Sequence, residues 1–167
     1  MPVLLDPGLA FGTGTHATTA MCLNALDRLI AGNERFIDFG CGSGILAIAA
    51  LKLGAGCALG VDNDLQAVFA SRDNAQRNGI EPDDFAVVMP DDGVIAQWED
   101  SADLMVANIL AGPLVELADQ LISLTAPGGA ILLTGVLEAQ APQLIECYHD
   151  VNLEVSQQRD GCLLYTS

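Results

Sequence analysis

Basic side chains are scarce in this chain. Six Lys and Arg stand against 22 Asp and Glu in 167 residues, a formal net charge of −16. A nucleic-acid groove needs clustered cations to meet phosphates, so the shortage argues against direct nucleic-acid binding. It suits a basic protein or a cationic small molecule as partner, beside the solubility that any acidic surface confers. Aromatic residues are also thin, at 5% of a chain that is 51% hydrophobic. The apolar content is mostly Ala, Leu, Ile and Val, as in an α/β domain whose strands are covered on both faces. No apolar run reaches the roughly 18–20 residues of a membrane span, because charged or turn residues interrupt each one. Met1-Pro2-Val3-Leu4-Leu5-Asp6 has no basic leader and no transit character, so a cytoplasmic protein away from membranes is expected. The five cysteines, Cys22, Cys41, Cys57, Cys147 and Cys162, are odd in number and contain no CxxC. They read as reduced small hydrophobes, with neither a disulfide framework nor a metal site.

What is present is organised around Asp38-Phe39-Gly40-Cys41-Gly42-Ser43-Gly44. Apolar Phe36-Ile37 lead into it and Ile45 to Leu51 follow, which predicts a buried strand, a glycine turn and a helix. Three glycines at alternate positions leave no Cβ in the way of a ligand at the turn. Upstream, Pro7, Gly8, Gly12 and Gly14 predict a loop anchored by Phe11, and His16 begins a helix that ends at Gly32-Asn33. Downstream, strands are expected at Cys57 to Val61, Phe85 to Met89, Ala102 to Ala107 and Ala130 to Thr134. Helices are expected from Leu65 to Arg77 (Asp64 as cap, Asn78-Gly79 as stop), Leu114 to Leu124 and Glu138 to Tyr148. A weak helical stretch reaches Trp98, and Pro127-Gly128-Gly129 reads as a tight turn. Val151 to Gln157 and Cys162 to Tyr165 suggest a closing antiparallel hairpin. Strand alternating with helix means a parallel sheet covered on both faces, in one domain spanning 1–167.

In such sheets ligands bind beyond the carboxyl ends of the central strands. Gly40 to Gly44, Asp62 and Asn108 all fall there. Asp62 follows Gly40 by 22 residues, close to the offset of roughly 20 at which an acid reaches ribose hydroxyls. The bland alternative is a capping carboxylate beside a tight turn. A dinucleotide fingerprint needs its third glycine at position 45, where Ile45 stands, so the pattern is GxGxG. That favours S-adenosyl-L-methionine over NAD, its carboxylate on turn N–H groups and its ribose on Asp62. Asn108, at the end of Asp103 to Ala107, reads as either a cap or an acceptor whose carbonyl aims an amine at the methyl group. Phe11, Thr13, His16 and Thr19 describe either a helix start or a loop that folds over a ligand.

Leu5-Asp6-Pro7-Gly8-Leu9-Ala10-Phe11-Gly12-Thr13-Gly14-Thr15-His16, Ile37 to Ile48 and Ala107-Asn108-Ile109-Leu110-Ala111-Gly112-Pro113-Leu114 resemble the ribosomal protein L-eleven methyltransferase family. The resemblance implies a class I methyltransferase with a Rossmann-like, mostly parallel, seven-stranded sheet. It implies methyl transfer from S-adenosyl-L-methionine to lysine ε-amino and N-terminal α-amino groups of large-subunit ribosomal protein eleven. Carried over by motif, Thr19, Asp38, Gly40, Gly42, Gly44, Asp62 and Asn108 contact the cofactor, and Phe11, Thr13 and His16 belong to the covering loop. Asn108 also borders the amine and is the catalytic candidate, and a monomer is expected. Three departures stand out. Ala17 replaces the family's Pro after the loop histidine, and Gly161 to Ser167 differs from the family's ending. The chain also begins at the catalytic domain, without the separate N-terminal domain that grips the ribosomal protein. The alternatives are a cofactor-binding fragment and an amine methyltransferase for another substrate.

Overall fold

The computed structural model describes residues 2–4, 17–151, 153–159 and 162–166, and of 155–159 and 162–166 only the backbone. Phe11, Thr13, His16 and the rest of the 5–16 loop lie outside the described residues. The element order is α1 (Ala17–Leu29), β1 (Arg35–Phe39), α2 (Ile45–Leu53), β2 (Cys57–Val61), α3 (Leu65–Arg77), β3 (Phe85–Val88), a 3-10 helix (Gly93–Trp98), β4 (Ala102–Asn108), α4 (Ala111–Glu116), α5 (Ala118–Leu124), β5 (Thr125–Leu137), a 3-10 turn (Glu138–Gln140), α6 (Ala141–Cys147), β6 (Glu154–Arg159) and β7 (Cys162–Thr166). The strands form one sheet in the order β3-β2-β1-β4-β5-β7-β6. The first five are parallel and β7 and β6 close the edge antiparallel, as the alternation and the closing hairpin predict.

Period-two alternation along the strands builds two cores. Phe36, Ala58, Phe85, Val87, Leu104, Val106 and Leu132 face α1, α2 and α3. Ile37, Phe39, Leu59, Val61, Met105, Ala107, Ile131 and Leu133 face the opposite layer, where Leu114, Leu121, Leu144 and Tyr148 pack. The buried Tyr148 hydroxyl donates to the Leu114 carbonyl at 2.7 Å, which settles its polar end. Asp38 lies on the same face as Phe36, and so points beneath α1 and α2 rather than into solvent. Among the described residues no helix is long and apolar enough to cross a membrane.

Three local expectations are corrected. The helix expected at Leu114 to Leu124 begins earlier, at Ala111, because Pro113 sits in its first turn where a missing N–H costs nothing; it is interrupted at Leu117. Glu138 to Tyr148 splits into a 3-10 turn and α6, with Pro142 in the first turn of the new helix. Pro127-Gly128-Gly129 is not a free turn but an insertion within β5. The β4–β5 register runs Ala102↔Thr125 and then Leu104↔Ala130, so the extra residues bulge out, with Gly128 at φ +80°.

At the amino end of the sheet the chain is tied by main-chain contacts. Leu4 N–H donates to Asn78 Oδ1 at 2.9 Å, and Asn78 Nδ2 donates to the Leu4 carbonyl at 2.7 Å. Lys52 Nζ donates to the Pro2 carbonyl at 2.8 Å.

Candidate functional site

The sheet order reverses between β1 and β4, and the carboxyl ends of these two strands border the crevice where such folds receive ligands. The turn after β1 fills one side. Gly40, Gly42 and Gly44 have φ of +78°, +54° and +81°, a region costly to residues with a Cβ. A Cβ at Gly40 would also run into Ile109 Cγ2, and one at Gly44 would stand 3.0 Å from Ser71 Oγ and 3.2 Å from the Ser71 Cα.

The turn is sewn to the end of β2. Gly40 and Cys41 N–H groups donate to the Val61 carbonyl at 2.7 and 3.1 Å, and Gly44 N–H donates to the Cys41 carbonyl at 2.8 Å. Gly42 N–H donates to Asp62 Oδ2 at 2.9 Å. Four of the five N–H groups in residues 40–44 are thereby engaged inside the protein. This differs from the expectation that turn N–H groups receive a ligand carboxylate. What the turn offers is close approach of a backbone without side chains.

Its carbonyls are engaged as well, by two residues that sequence reasoning missed. Ser71 Oγ donates to the Gly42 carbonyl at 2.8 Å, and Asn74 Nδ2 donates to the Ser43 carbonyl at 2.9 Å. Both side chains are buried, three positions apart on the inward stripe of α3 with Ala67, Val68, Ala70 and Ala75. Polar residues on an otherwise apolar stripe were the available signal, since a buried polar group must find a partner.

Asp62, half-buried at the end of β2, also accepts the Asp64 N–H on Oδ1 at 2.9 Å. A carboxylate offers about four lone-pair positions, so about two remain for outside donors. Asp64 caps α3 as expected, accepting from Gln66 N–H at 2.9 Å. Asp38 is 1% exposed. Its Oδ2 accepts the Ala47 N–H at 3.3 Å, supplying the acceptor that α2 lacks at its glycine cap. Its Oδ1 has no hydrogen-bond partner among the described residues. Burial pushes the Asp38 carboxyl up to about 7; the Ala47 N–H pulls against that and the nearby Asp62 charge adds to it. Burial, and then the Asp38 charge, also push the thiols of Cys22 and Cys41 up, which leaves them protonated and unreactive.

Across the crevice, β4 delivers Asn108, whose amide nitrogen reaches Thr19 Oγ1 on α1 in a long contact of 3.4 Å. With the nitrogen so engaged, the amide oxygen is the group of Asn108 that can serve as an acceptor. Of the residues predicted for the site, the structure brings Gly40, Gly42, Gly44, Asp62, Asn108 and Thr19 to one edge and sets Asp38 beneath them.

Sheet order, switch-point crevice and glycine turn define a Rossmann-like α/β domain of the class I methyltransferase type. The same fold is seen in precorrin-6y C5,15-methyltransferase from Geobacter metallireducens GS-15, with a TM-score of 0.75 at 18% identity over 98% of this chain and 95% of that one. Within that class, the chain belongs to the family described as Ribosomal protein L11 methyltransferase (PrmA), matched over residues 1–161. It is 56% identical over 162 residues to the ribosomal protein L11 methyltransferase of Pseudomonas paraeruginosa, covering 96% of this chain and 54% of that protein. The ribosomal protein L11 methylase structure from Lactobacillus delbrueckii subsp. bulgaricus is 33% identical, with a TM-score of 0.83 over 99% of this chain and 84% of that one. The resemblance read from the three motifs is thus borne out. The chain spans about half the length of the curated relatives it matches.

Proposed function

We propose that this chain binds S-adenosyl-L-methionine at the carboxyl ends of β1, β2 and β4 and methylates lysine ε-amino and N-terminal α-amino groups of large-subunit ribosomal protein eleven. The observation that carries the reading is the convergence of the Gly40 to Gly44 turn, Asp62 and Asn108 on one crevice in a chain of this family. When bound, the cofactor would supply a sulfonium methyl group to a neutral amine nitrogen, with S-adenosylhomocysteine as the leaving thioether and a proton lost from the methylated nitrogen to solvent.

The residues present fit that cofactor. The glycine turn brings main chain, unscreened by side chains at Gly40, Gly42 and Gly44, to the edge of the crevice. Asp62 holds acceptor positions for two ribose hydroxyls after its own backbone bonds are made. The unpartnered Oδ1 of Asp38 beneath the turn suits the cationic amino-acid end, directly or through a water. Asn108 takes an N–H of the incoming amine on its carbonyl oxygen, which orients the nitrogen lone pair toward the methyl group. Thr19 steadies the Asn108 amide from α1. Phe11, Thr13 and His16, outside the described residues, are assigned to the cofactor by the family motif. The whole of 1–167 serves as one catalytic domain, acting as a monomer in the cytoplasm.

The test is turnover with purified ribosomal protein and S-adenosyl-L-methionine, read by mass spectrometry as added methyl groups. Asn108→Ala is expected to keep cofactor binding and lose at least about a hundredfold in rate, the scale of losing alignment at the reacting centre. Because the chain spans about half the length of its relatives, the same assay separates two readings. Cofactor binding with no methylation of the ribosomal protein would favour a cofactor-binding unit that lacks substrate capture of its own.

A further inference from the structure

We propose that Ile109 is a positioning residue, a spacer wedged between Gly40 and Gly135 that sets the methyl-donor turn against the amine-facing end of β4. This rests on the function proposed above. Two glycines on either side of β4 have left-handed backbones, Gly40 just after β1 at φ +78° and Gly135 in β5 at φ +86°. In each, the place of a missing Cβ is taken by the same residue. Ile109 Cγ2 occupies it at Gly40, and the Ile109 carbonyl oxygen occupies it at Gly135.

Register explains the coincidence. β4 lies between β1 and β5, with Phe39 opposite Ala107 and Asn108 opposite Thr134. Ile109 is therefore the first residue beyond both ladders, at the point where the sheet order reverses. Below, it packs on the apolar core shared with α4, α5 and α6. Being β-branched, it has little freedom at χ1 and makes a stiff spacer. Its neighbour Asn108 presents the amide, so the same wedge locates donor turn and acceptor amide relative to each other. At Gly135 a side chain is barred twice, by the left-handed φ and by the Ile109 backbone lying across it.

Alignment is what such a spacer controls, and small displacements at a reacting centre cost rate steeply. Ile109→Ala is expected to lower kcat by about ten- to a hundredfold while the dissociation constant for S-adenosylhomocysteine rises by less than about threefold. Ile109→Val, which keeps the β-branch, is expected to restore most of kcat. A residue that only filled the core would shift the unfolding temperature without this split. The steric arm is independent of turnover. Gly40→Ala is expected to lose S-adenosylhomocysteine binding, and adding Ile109→Ala to win part of it back. Where Gly40→Ala fails to fold, recovery of a cooperative thermal transition in the double variant is the same rescue.

Equal losses in kcat and affinity for Ile109→Ala, or a double variant no better than Gly40→Ala alone, would overturn the spacer. Wild-type protein that fails to bind S-adenosylhomocysteine would overturn the proposed function itself, and the spacer with it. Wild-type protein that binds but does not methylate leaves the steric arm to decide.

Discussion

The two ends of β1 carry carboxylates four residues apart, Glu34 and Asp38, and the fold treats them oppositely. At the amino end Glu34 accepts the Ala31 N–H at 2.6 Å and the Gly32 N–H at 2.9 and 3.0 Å. Partial burial pushes its carboxyl up, but these backbone bonds outweigh that and hold it below the ordinary carboxylate value. At the carboxyl end Asp38 is buried with one weak N–H partner and is pushed up instead. The two buried side-chain polar atoms without hydrogen-bond partners among the described residues divide the same way, Arg35 Nε below and Asp38 Oδ1 above. Arg35 has a substitute, its guanidinium lying 4.1 Å over the Trp98 ring. Asp38 Oδ1 has none. Left-handed backbone occurs at both ends, at Gly32 and Asn33 below and at Gly40, Gly42 and Gly44 above. What separates the ends is polarity: the lower is closed upon itself, while the upper holds a buried acceptor without a partner among the described residues, as where a ligand binds.

The sharpest way to break this contrast is at the upper end. Asp62→Ala removes the outside acceptor positions and the partner of Gly42 N–H, and should raise the dissociation constant for S-adenosylhomocysteine by at least about a hundredfold, since hydrogen bonds to charged groups are worth roughly 1.5–3 kcal/mol each. Near-normal affinity by calorimetry would remove Asp62 from the site. Next, Ser71→Ala and Asn74→Ala each strand a turn carbonyl, at a cost of about 1–3 kcal/mol. Melting temperatures should fall by several degrees, and unchanged values would mean the α3 clamp is idle.

The third measurement is pH-dependent. The folded Asp38 carboxyl titrates at about 7 against an ordinary 3.8, so the folded state holds its proton more tightly than the unfolded chain. Its contribution is fully present below about 3.8 and lost as pH rises through about 7. Asp38→Asn should flatten that decline in thermal stability and weaken cofactor binding; a decline identical to wild type would acquit Asp38. The smallest effect belongs to the closed end. Glu34, held below its ordinary 4.5, contributes stability above that value and loses it as pH falls through its lowered folded value. Glu34→Gln should cost less than about 1 kcal/mol, only above the ordinary carboxylate value of 4.5, with cofactor affinity untouched. A change in that affinity would mean the two ends are not separate.

Much of this was legible in the residues. Strand and helix periods located β1, β2, β4 and α3, and a glycine turn, an acid and an amide at strand ends are readable because each is local. Asn78-Gly79 closes α3 as expected, with Gly79 at φ +70°. The rest depends on contacts between distant segments. Ser71 and Asn74 meet the turn across 29 and 31 residues; their place on the apolar stripe of α3 marks them as buried, but nothing local says which groups they meet. The burial of Asp38 follows from alternation along β1, yet the helix packed above it is a tertiary fact. The engagement of the turn N–H groups by Val61 likewise required knowing how β1 and β2 meet. Ile109 stands in the sequence only as a member of a motif, because its significance lies in two glycines distant from it in the chain.

Asn78 offers both halves of a primary amide to the two main-chain groups of one residue, accepting the N–H and donating to the carbonyl of Leu4. A side chain that imitates a neighbouring strand reads the main chain and is blind to what the residue carries. The Leu4 side chain is 59% exposed. Substitution should therefore be free at position 4, proline excepted, and tightly restricted at position 78, where neither aspartate nor leucine can both give and take.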